Sequence, residues 1–316
     1  MMDLPPQDLP SYDQLLVQAR VVAAEVRQAD DLASMPAPPN MRARNAAVIG
    51  GTALGIGLFG WRIWWSEGFE SHFKVKKEGG FGRSTEFSGI DKLGHAWFSY
   101  AGARALTPAF QYIGNDFESA RRLAALTVWG AMGMVEVLDG YSKDYKFSPE
   151  DLVANTIGAG LGYFFEGNRE WDDLVDYRFS YRKTQLSNWN PPSDYGGHRY
   201  WLMFKADGVN ALRDVPVLKY LELGVGYGAP GVDVPDEWIF HDFALRRREV
   251  LWAASVNLSR VISDVFYGGK RSSTTTQRVT ERVLDLWQHP AIYYQARDLD
   301  RHIPPPVCCV WPPPPR

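Results

Sequence analysis

Cysteine is nearly absent. Of 316 residues only Cys308 and Cys309 carry thiols, adjacent and inside a proline-rich tail. A disulfide framework and a multi-cysteine metal site are thereby excluded. No lipobox cysteine stands near the N-terminus, and no prenylation box closes the chain. Charge of one sign is also lacking: the net charge is −3, so no basic field points to nucleic acid, and nucleic acid is not an expected partner. The first 40 residues are acidic at the start and have no apolar core, so they do not read as a signal peptide. Were Met41 the start, Met41-Arg42-Ala43-Arg44 would serve as a basic n-region. His-Glu-x-x-His, Gly-x-Ser-x-Gly and Walker A patterns are missing. Two dinucleotide-like spellings, at Gly55–Gly60 and Gly226–Gly231, lack the strand before and the helix after that would give them meaning.

What the chain has is aromatic side chains: 12 Trp, 15 Tyr and 16 Phe. Amphipathic rings suit a membrane–water boundary, and equally a core built of large residues. The mean hydropathy of −0.28 excludes a chain that is mostly transmembrane. Any membrane part must be balanced by a polar part, and the character of the sequence changes near residue 168.

Five regions are expected. Residues 1–44 read as an exposed Pro-rich arm and 45–168 as a helical membrane domain. Residues 169–270 read as an antiparallel β domain, 271–303 as a C-terminal helix region and 304–316 as a Pro-rich tail. Residues 45–61 carry no charge and approach the roughly 20 residues that cross a hydrocarbon layer. Trp61, Trp64 and Trp65 follow, where an interfacial belt would sit. Apolar stretches at 92–112, 122–138 and 150–166 are each about one bilayer long at the helical rise. Ser148-Pro149-Glu150-Asp151 opens the last of them with a cap, a proline at the first turn and acids at the positive dipole end. Gly51 and Gly55, and Gly158 and Gly162, have the four-residue spacing that lets helices approach closely.

After 168 the period becomes two. Tyr177, Phe179 and Tyr181 alternate with Arg178, Ser180 and Arg182. Leu221, Leu223, Val225 and Tyr227 alternate with Glu222, Gly224 and Gly226, and Val250 to Leu258 alternate in the same way. Residues 198–206 make another aromatic run. These read as antiparallel strands with one bulky face and one small or polar face. The pattern suits a sheet with one buried face and equally a small barrel facing lipid. Residues 277–300 read as helical. The expected class is α+β: a bundle of about four apolar membrane helices, then an antiparallel sheet or barrel-like domain.

The candidate site lies in the helical part. Asp91 and His95 are four apart and share a helix face, as do Glu136 and Asp139, three apart. Asp151, Asn155, Gly158 and Gly162 form one stripe. If the second, third and fourth helices alternate in direction, Asp91, His95, Asp139 and Asp151 meet at one end, with Glu136 and Asn155 a turn deeper. Ionisable groups in membrane segments are costly and point to function. His95, Asp139 and Asp151 are the candidate catalytic groups. Asp91, Lys92, His95, Glu136, Asp139, Asp151 and Asn155 are the candidate ligand-binding set. Asp91, His95, Glu136 and Asp139 are the candidate ligands of a divalent metal. Against this stands a structural reading, in which Asp91 and Asp151 are helix-start acids and His95 and Asn155 join helices by hydrogen bonds. Lys143-Asp144-Tyr145-Lys146 would lie beside the site. Arg246-Arg247-Arg248 reads as a charged strand edge.

These stretches resemble the YfiM-like family of predicted periplasmic lipoproteins of unknown function. The motifs that carry the resemblance are Glu78-Gly79-Gly80-Phe81-Gly82, Asp91-Lys92-Leu93-Gly94-His95-Ala96, Glu136-Val137-Leu138-Asp139-Gly140-Tyr141-Ser142, Tyr145 to Leu152, and Asn155. Asp194-Tyr195-Gly196-Gly197 and Leu221 to Tyr227 add to it, so the likeness runs over roughly 60–265. The helical part is also similar to the VanZ-like membrane family, through Asp91-Lys92-x-x-His95 and Asp151-x-x-x-Asn155-x-x-Gly158. Both resemblances imply a bacterial membrane or cell-envelope location with a periplasmic portion, not a reaction. The missing lipobox keeps the lipoprotein label from carrying over. The expected function is a non-catalytic envelope membrane protein, an accessory or scaffold component of a larger assembly. Membrane lipids and other membrane subunits are its expected partners, and it needs no cofactor. The alternative is a membrane-embedded site that binds or modifies a lipid or cell-wall precursor, with a divalent metal or acid–base groups.

Overall fold

The computed structural model describes residues 40–184, 190–233 and 246–300. The expected arm (apart from its last residues), the tail and both cysteines lie outside them. Helix α1 (Met41–Ile63) is followed by a long loop. Then come α2 (Ile90–Tyr112), α3 (Phe117–Tyr141), α4 (Pro149–Gly167) and a short α5 (Arg169–Leu174). The second half holds β1 (Val175–Tyr181), β2 (His198–Lys205), β3 (Leu221–Gly228) and β4 (Glu249–Val256). Helices α6 (Leu258–Tyr267) and α7 (Thr275–Trp287) and strand β5 (Ile292–Asp298) complete it.

The helix starts follow their caps. Asp116 accepts from the Ser119 amide at α3, and Ser148 accepts from the Asp151 amide at α4. Asn257 and Thr274 do the same at α6 and α7, satisfying amides that a helix start leaves orphaned. Gly89 caps α2 at φ +80°, and a side chain there would collide with the Phe81 ring, so only glycine fits.

Helix α2 is the centre of the molecule. One face packs on α4 through small residues: a Cβ on Gly158 would fall 2.0 Å from the Ala96 carbonyl oxygen, and one on Gly162 would fall 2.7 Å from the Ala103 Cβ. The other face carries Trp97 and Tyr100, which stack with Phe179 and Tyr177 of the sheet. The expected close approach at Gly51 and Gly55 does not occur, since nothing stands within 4 Å of a Cβ at either. Of the 23 residues of α1 only Gly60 is buried.

Of the four expected membrane helices, two among the described residues, α1 and α3, are long and apolar enough to cross a bilayer. Helix α2 carries Asp91, Lys92, His95 and Arg104, and α4 is 19 residues with Glu150, Asp151 and Glu166. The barrel-like alternative is corrected. Among the described residues, five strands form an open antiparallel sheet in the order β1-β2-β3-β4-β5. The expected helix over 277–300 is two elements, because Pro290 follows the end of α7 and the next residues pair with β4.

The sheet is patterned inside out. Register places Asp176, Arg178, Trp201, Met203, Lys205, Glu222, Gly224, Gly226, Leu251, Ala253 and Ser255 on one face, and that face is buried. The glycines make room for large neighbours: a Cβ at Gly226 would strike the Trp201 ring. The opposite face is covered by α2 at Tyr177 and Tyr200. Farther out it turns Leu202, Phe204, Leu223, Trp252, Ile292 and Tyr294 to the exterior.

Candidate functional site

Three helix ends bring the polar groups together. The start of α2 supplies Asp91, Lys92 and His95, the last turns of α3 supply Glu136 and Asp139, and the start of α4 supplies Asp151 and Asn155. Because α2, α3 and α4 run antiparallel in turn, these ends face one another.

His95 stands at the middle. Its Nδ1 lies 3.3 Å from Glu136 Oε1 and 3.3 Å from Asn155 Oδ1, and its Nε2 lies 4.0 Å from Asp151 Oδ2. Ser99, one turn along α2, donates to Asn155 Oδ1 at 3.0 Å. Lys92 Nζ lies 2.7 Å from Asp91 Oδ2 and 2.8 Å from Asp151 Oδ1, and also pairs with Glu78. The carboxylates are buried, whereas the His95 side chain is 21% exposed. Among the described residues, two sets of three groups are close enough to hold an ion. One is His95, Glu136 and Asp151; the other is Glu78, Asp91 and Asp151.

Asp139 does not join either set. Its Oδ1 accepts from the Trp65 indole at 2.5 Å, which fastens the end of α1 to the end of α3. Of the four expected metal ligands, His95 and Glu136 meet in one set and Asp91 in the other.

Two participants lie outside the expected site set. Glu78, noted only within a family motif, comes from the loop before α2, and burial pushes its carboxyl up to about 7, aided by the charges of Asp151 and Asp91 against the Lys92 ammonium. Ser99 lies at i+4 from His95, a spacing that could have flagged it. The Lys143–Lys146 stretch lies on the chain that links α3 to α4. Arg246 donates to the Glu86 carbonyl, Arg247 pairs with Asp298 and Arg248 with Asp300, so this triplet fastens loop and sheet edges.

A second polar cluster lies on the buried face of the sheet. Arg178 bridges Asp176 and Glu222, and Lys205 Nζ lies 2.6 Å from Asp176 Oδ1. Burial opposes the Asp176 charge, but Lys205 and Arg178 hold its carboxyl below the usual range. Arg104, from within α2, pairs with Glu166 and Asp172. These groups satisfy one another, as buried charges must.

The geometry defines a small helical bundle with a polar centre at one end, docked on an open sheet. Residues 77–167, well under half of the chain, match the family model described as Predicted periplasmic lipoprotein (DUF2279). This is the family of unknown function whose motifs the sequence resembles, and its match spans the whole polar centre. No curated protein and no solved structure matches the chain.

Proposed function

We propose that this chain is a non-catalytic, membrane-attached protein of the bacterial cell envelope with a periplasmic portion, an accessory or scaffold component of a larger membrane assembly. One observation carries the reading: the chain turns apolar side chains outward on both of its halves. Helix α1 presents Leu54, Leu58 and Trp61; α3 and α4 present Leu126, Trp129, Val153 and Ile157; the sheet presents Leu223, Trp252, Ile292 and Tyr294. Exposed apolar area on this scale marks a membrane or protein interface. The matching family, predicted periplasmic lipoproteins, supports an envelope location. The anchoring is assigned to α1, which is long and apolar enough to cross a bilayer and in which only Gly60 is buried.

The experiment is fractionation followed by native purification. The chain should stay with membranes through alkaline wash and leave with detergent, and Leu54→Asp with Leu58→Asp should release it. Stoichiometric subunits should co-purify from the native host. A wild-type chain in the soluble fraction would sink the membrane reading. A lone chain that turns over a lipid would sink the non-catalytic one.

A second reading, that the polar centre takes a ligand, is favoured by its unsatisfied atoms. Glu136 Oε1 and Asn155 Nδ2 are buried without a hydrogen bond, and native proteins rarely leave such groups empty-handed.

A further inference from the structure

We propose that His95, Glu136 and Asp151 bind one divalent first-row metal ion, Zn2+ or Mn2+, with Asn155 facing the ion's remaining ligand. The inference rests on the second reading of the polar centre and is independent of the scaffold reading.

The first support is geometric. One ligand atom from each of the three residues lies within 4.8 Å of the other two. Three ligands bound to one ion at about 2.0–2.2 Å stand about 3.3–3.8 Å from one another. The cage therefore closes around an ion when each ligand atom moves inward by about half an ångström. The three side chains come from three different helices, so each is held on a rigid element.

The second support is the unsatisfied set. Asn155 is 0% exposed and Glu136 is 1% exposed. Asn155 spends its Oδ1 on Ser99 and His95, while its Nδ2 has no acceptor. An amide donor left over beside two carboxylates and an imidazole is placed to hold a water or anion on an ion between them. Glu136 Oε1 makes no hydrogen bond and faces the His95 ring.

The third support is charge. Glu78, Asp91, Glu136, Asp139 and Asp151 are five carboxylates around one fixed cation, Lys92. Lys92 is already committed to Glu78, Asp91 and Asp151 Oδ1. That leaves Glu136 and Asp151 Oδ2 facing the His95 imidazole, which carries one positive charge when protonated. Two buried carboxylates exceed that one charge, and a +2 ion would neutralise both.

The donor set chooses the metal. One imidazole and two carboxylates, with no thiolate, suit Zn2+ or Mn2+ better than Cu+, and the nitrogen ligand disfavours Ca2+ and Mg2+. The partly exposed edge of His95 gives the ion a way in, which a closed cluster would lack.

The test uses the full chain in detergent, stripped with EDTA and titrated with ZnCl2 or MnCl2 alone. One ion per chain should bind, with dissociation constants in the micromolar range or tighter. His95→Gln, Glu136→Gln and Asp151→Asn should each weaken it at least tenfold, while Asp298→Asn leaves it unchanged. Because a variant may fail to fold, the wild-type protein loaded with Mn2+ supplies a second readout. Pulsed electron paramagnetic resonance should show coupling to an imidazole nitrogen. No binding, binding unaffected by all three variants, or Mn2+ bound without nitrogen coupling would overturn the proposal. If no ion binds and Glu136→Gln is as stable as the wild type, the metal falls while a different ligand stands. If no ion binds and Glu136→Gln melts lower, the cluster is a paired structural element and both readings fall.

Discussion

The Trp65 indole donates a hydrogen bond to Asp139 Oδ1 at 2.5 Å, across 74 residues of sequence. Trp65 is 2% exposed and sits just past the end of α1; Asp139 closes α3. The pair ties the most lipid-like helix of the chain to the polar centre. Trp65→Phe keeps most of the ring packing but leaves a buried carboxylate without its donor. A loss of about 1–3 kcal/mol is expected, read by denaturant titration in detergent. Asp139→Asn, which can still accept from the indole, should cost less.

Glycines in α1 and α4 should respond in opposite ways. Gly158→Ala drives a methyl into the Ala96 carbonyl and should force α2 and α4 apart, lowering the melting temperature by several degrees. Gly51→Ala meets nothing and should stabilise the helix by up to about 1 kcal/mol. If Gly51 is a contact point for a neighbouring subunit, the same substitution should leave the isolated chain stable and reduce co-purification. Comparing the melting temperatures with pull-down yields separates the two effects.

Arg178 is 1% exposed between Asp176 and Glu222, each 0% exposed. Arg178→Met removes the cation, strands the buried Glu222 carboxylate and leaves Asp176 with Lys205, so a loss of about 3–5 kcal/mol is expected. Replacing Arg178 and Glu222 together by apolar residues of similar size, which leaves Asp176 paired with Lys205, should recover much of it. A double variant as unstable as the single one would show that the network does more than neutralise itself.

Stability should also depend on pH with a definite sign. Burial raises Glu78 to about 7, and Asp233 and Asp285 to about 6. Over the window from about 4 to 7 the folded chain therefore binds more protons than the unfolded one, so its stability falls as pH rises. Asp176 has the opposite sign. Its folded value lies below 3.8, so its contribution is present above that pH and is lost as pH falls through the folded value. The melting temperature, scanned from pH 3 to 8, should peak on the acid side of neutrality. Asp233→Asn should flatten the fall between about 4 and 6.

Much of this is legible in the sequence. The convergence of Asp91, His95, Glu136, Asp151 and Asn155 follows from helix spacing plus alternating direction, because both are set by local chain geometry. Strands β1, β3 and β4 follow from the period of two, and β2 from the aromatic run at 198–206. Other features depend on partners distant in sequence. Strand β5 was hidden because Tyr293, Tyr294 and Gln295 also fit a helical pattern, and only pairing with β4 decides between them. Asp139 carries the right spacing for the cluster, yet Trp65 claims it. The bulky face of the sheet is easily taken for the buried one. Here the buried face is lined by Asp176, Arg178, Lys205 and Glu222, whose mutual pairing appears only when β1, β2 and β3 are laid side by side. Arg104 looked like an interruption of an apolar helix until Glu166 and Asp172 arrived beside it.

Two tyrosines of the sheet touch α2 where it matters. The Tyr177 hydroxyl donates to the Leu93 carbonyl at 2.8 Å, and the Tyr200 hydroxyl would lie 3.0 Å from a Cβ on Gly94. Both contacts fall on the turn that presents His95. Packed interiors transmit displacement instead of absorbing it. A shift of β1 or β2 that carries either phenol ring with it would therefore press on the turn that aims the imidazole.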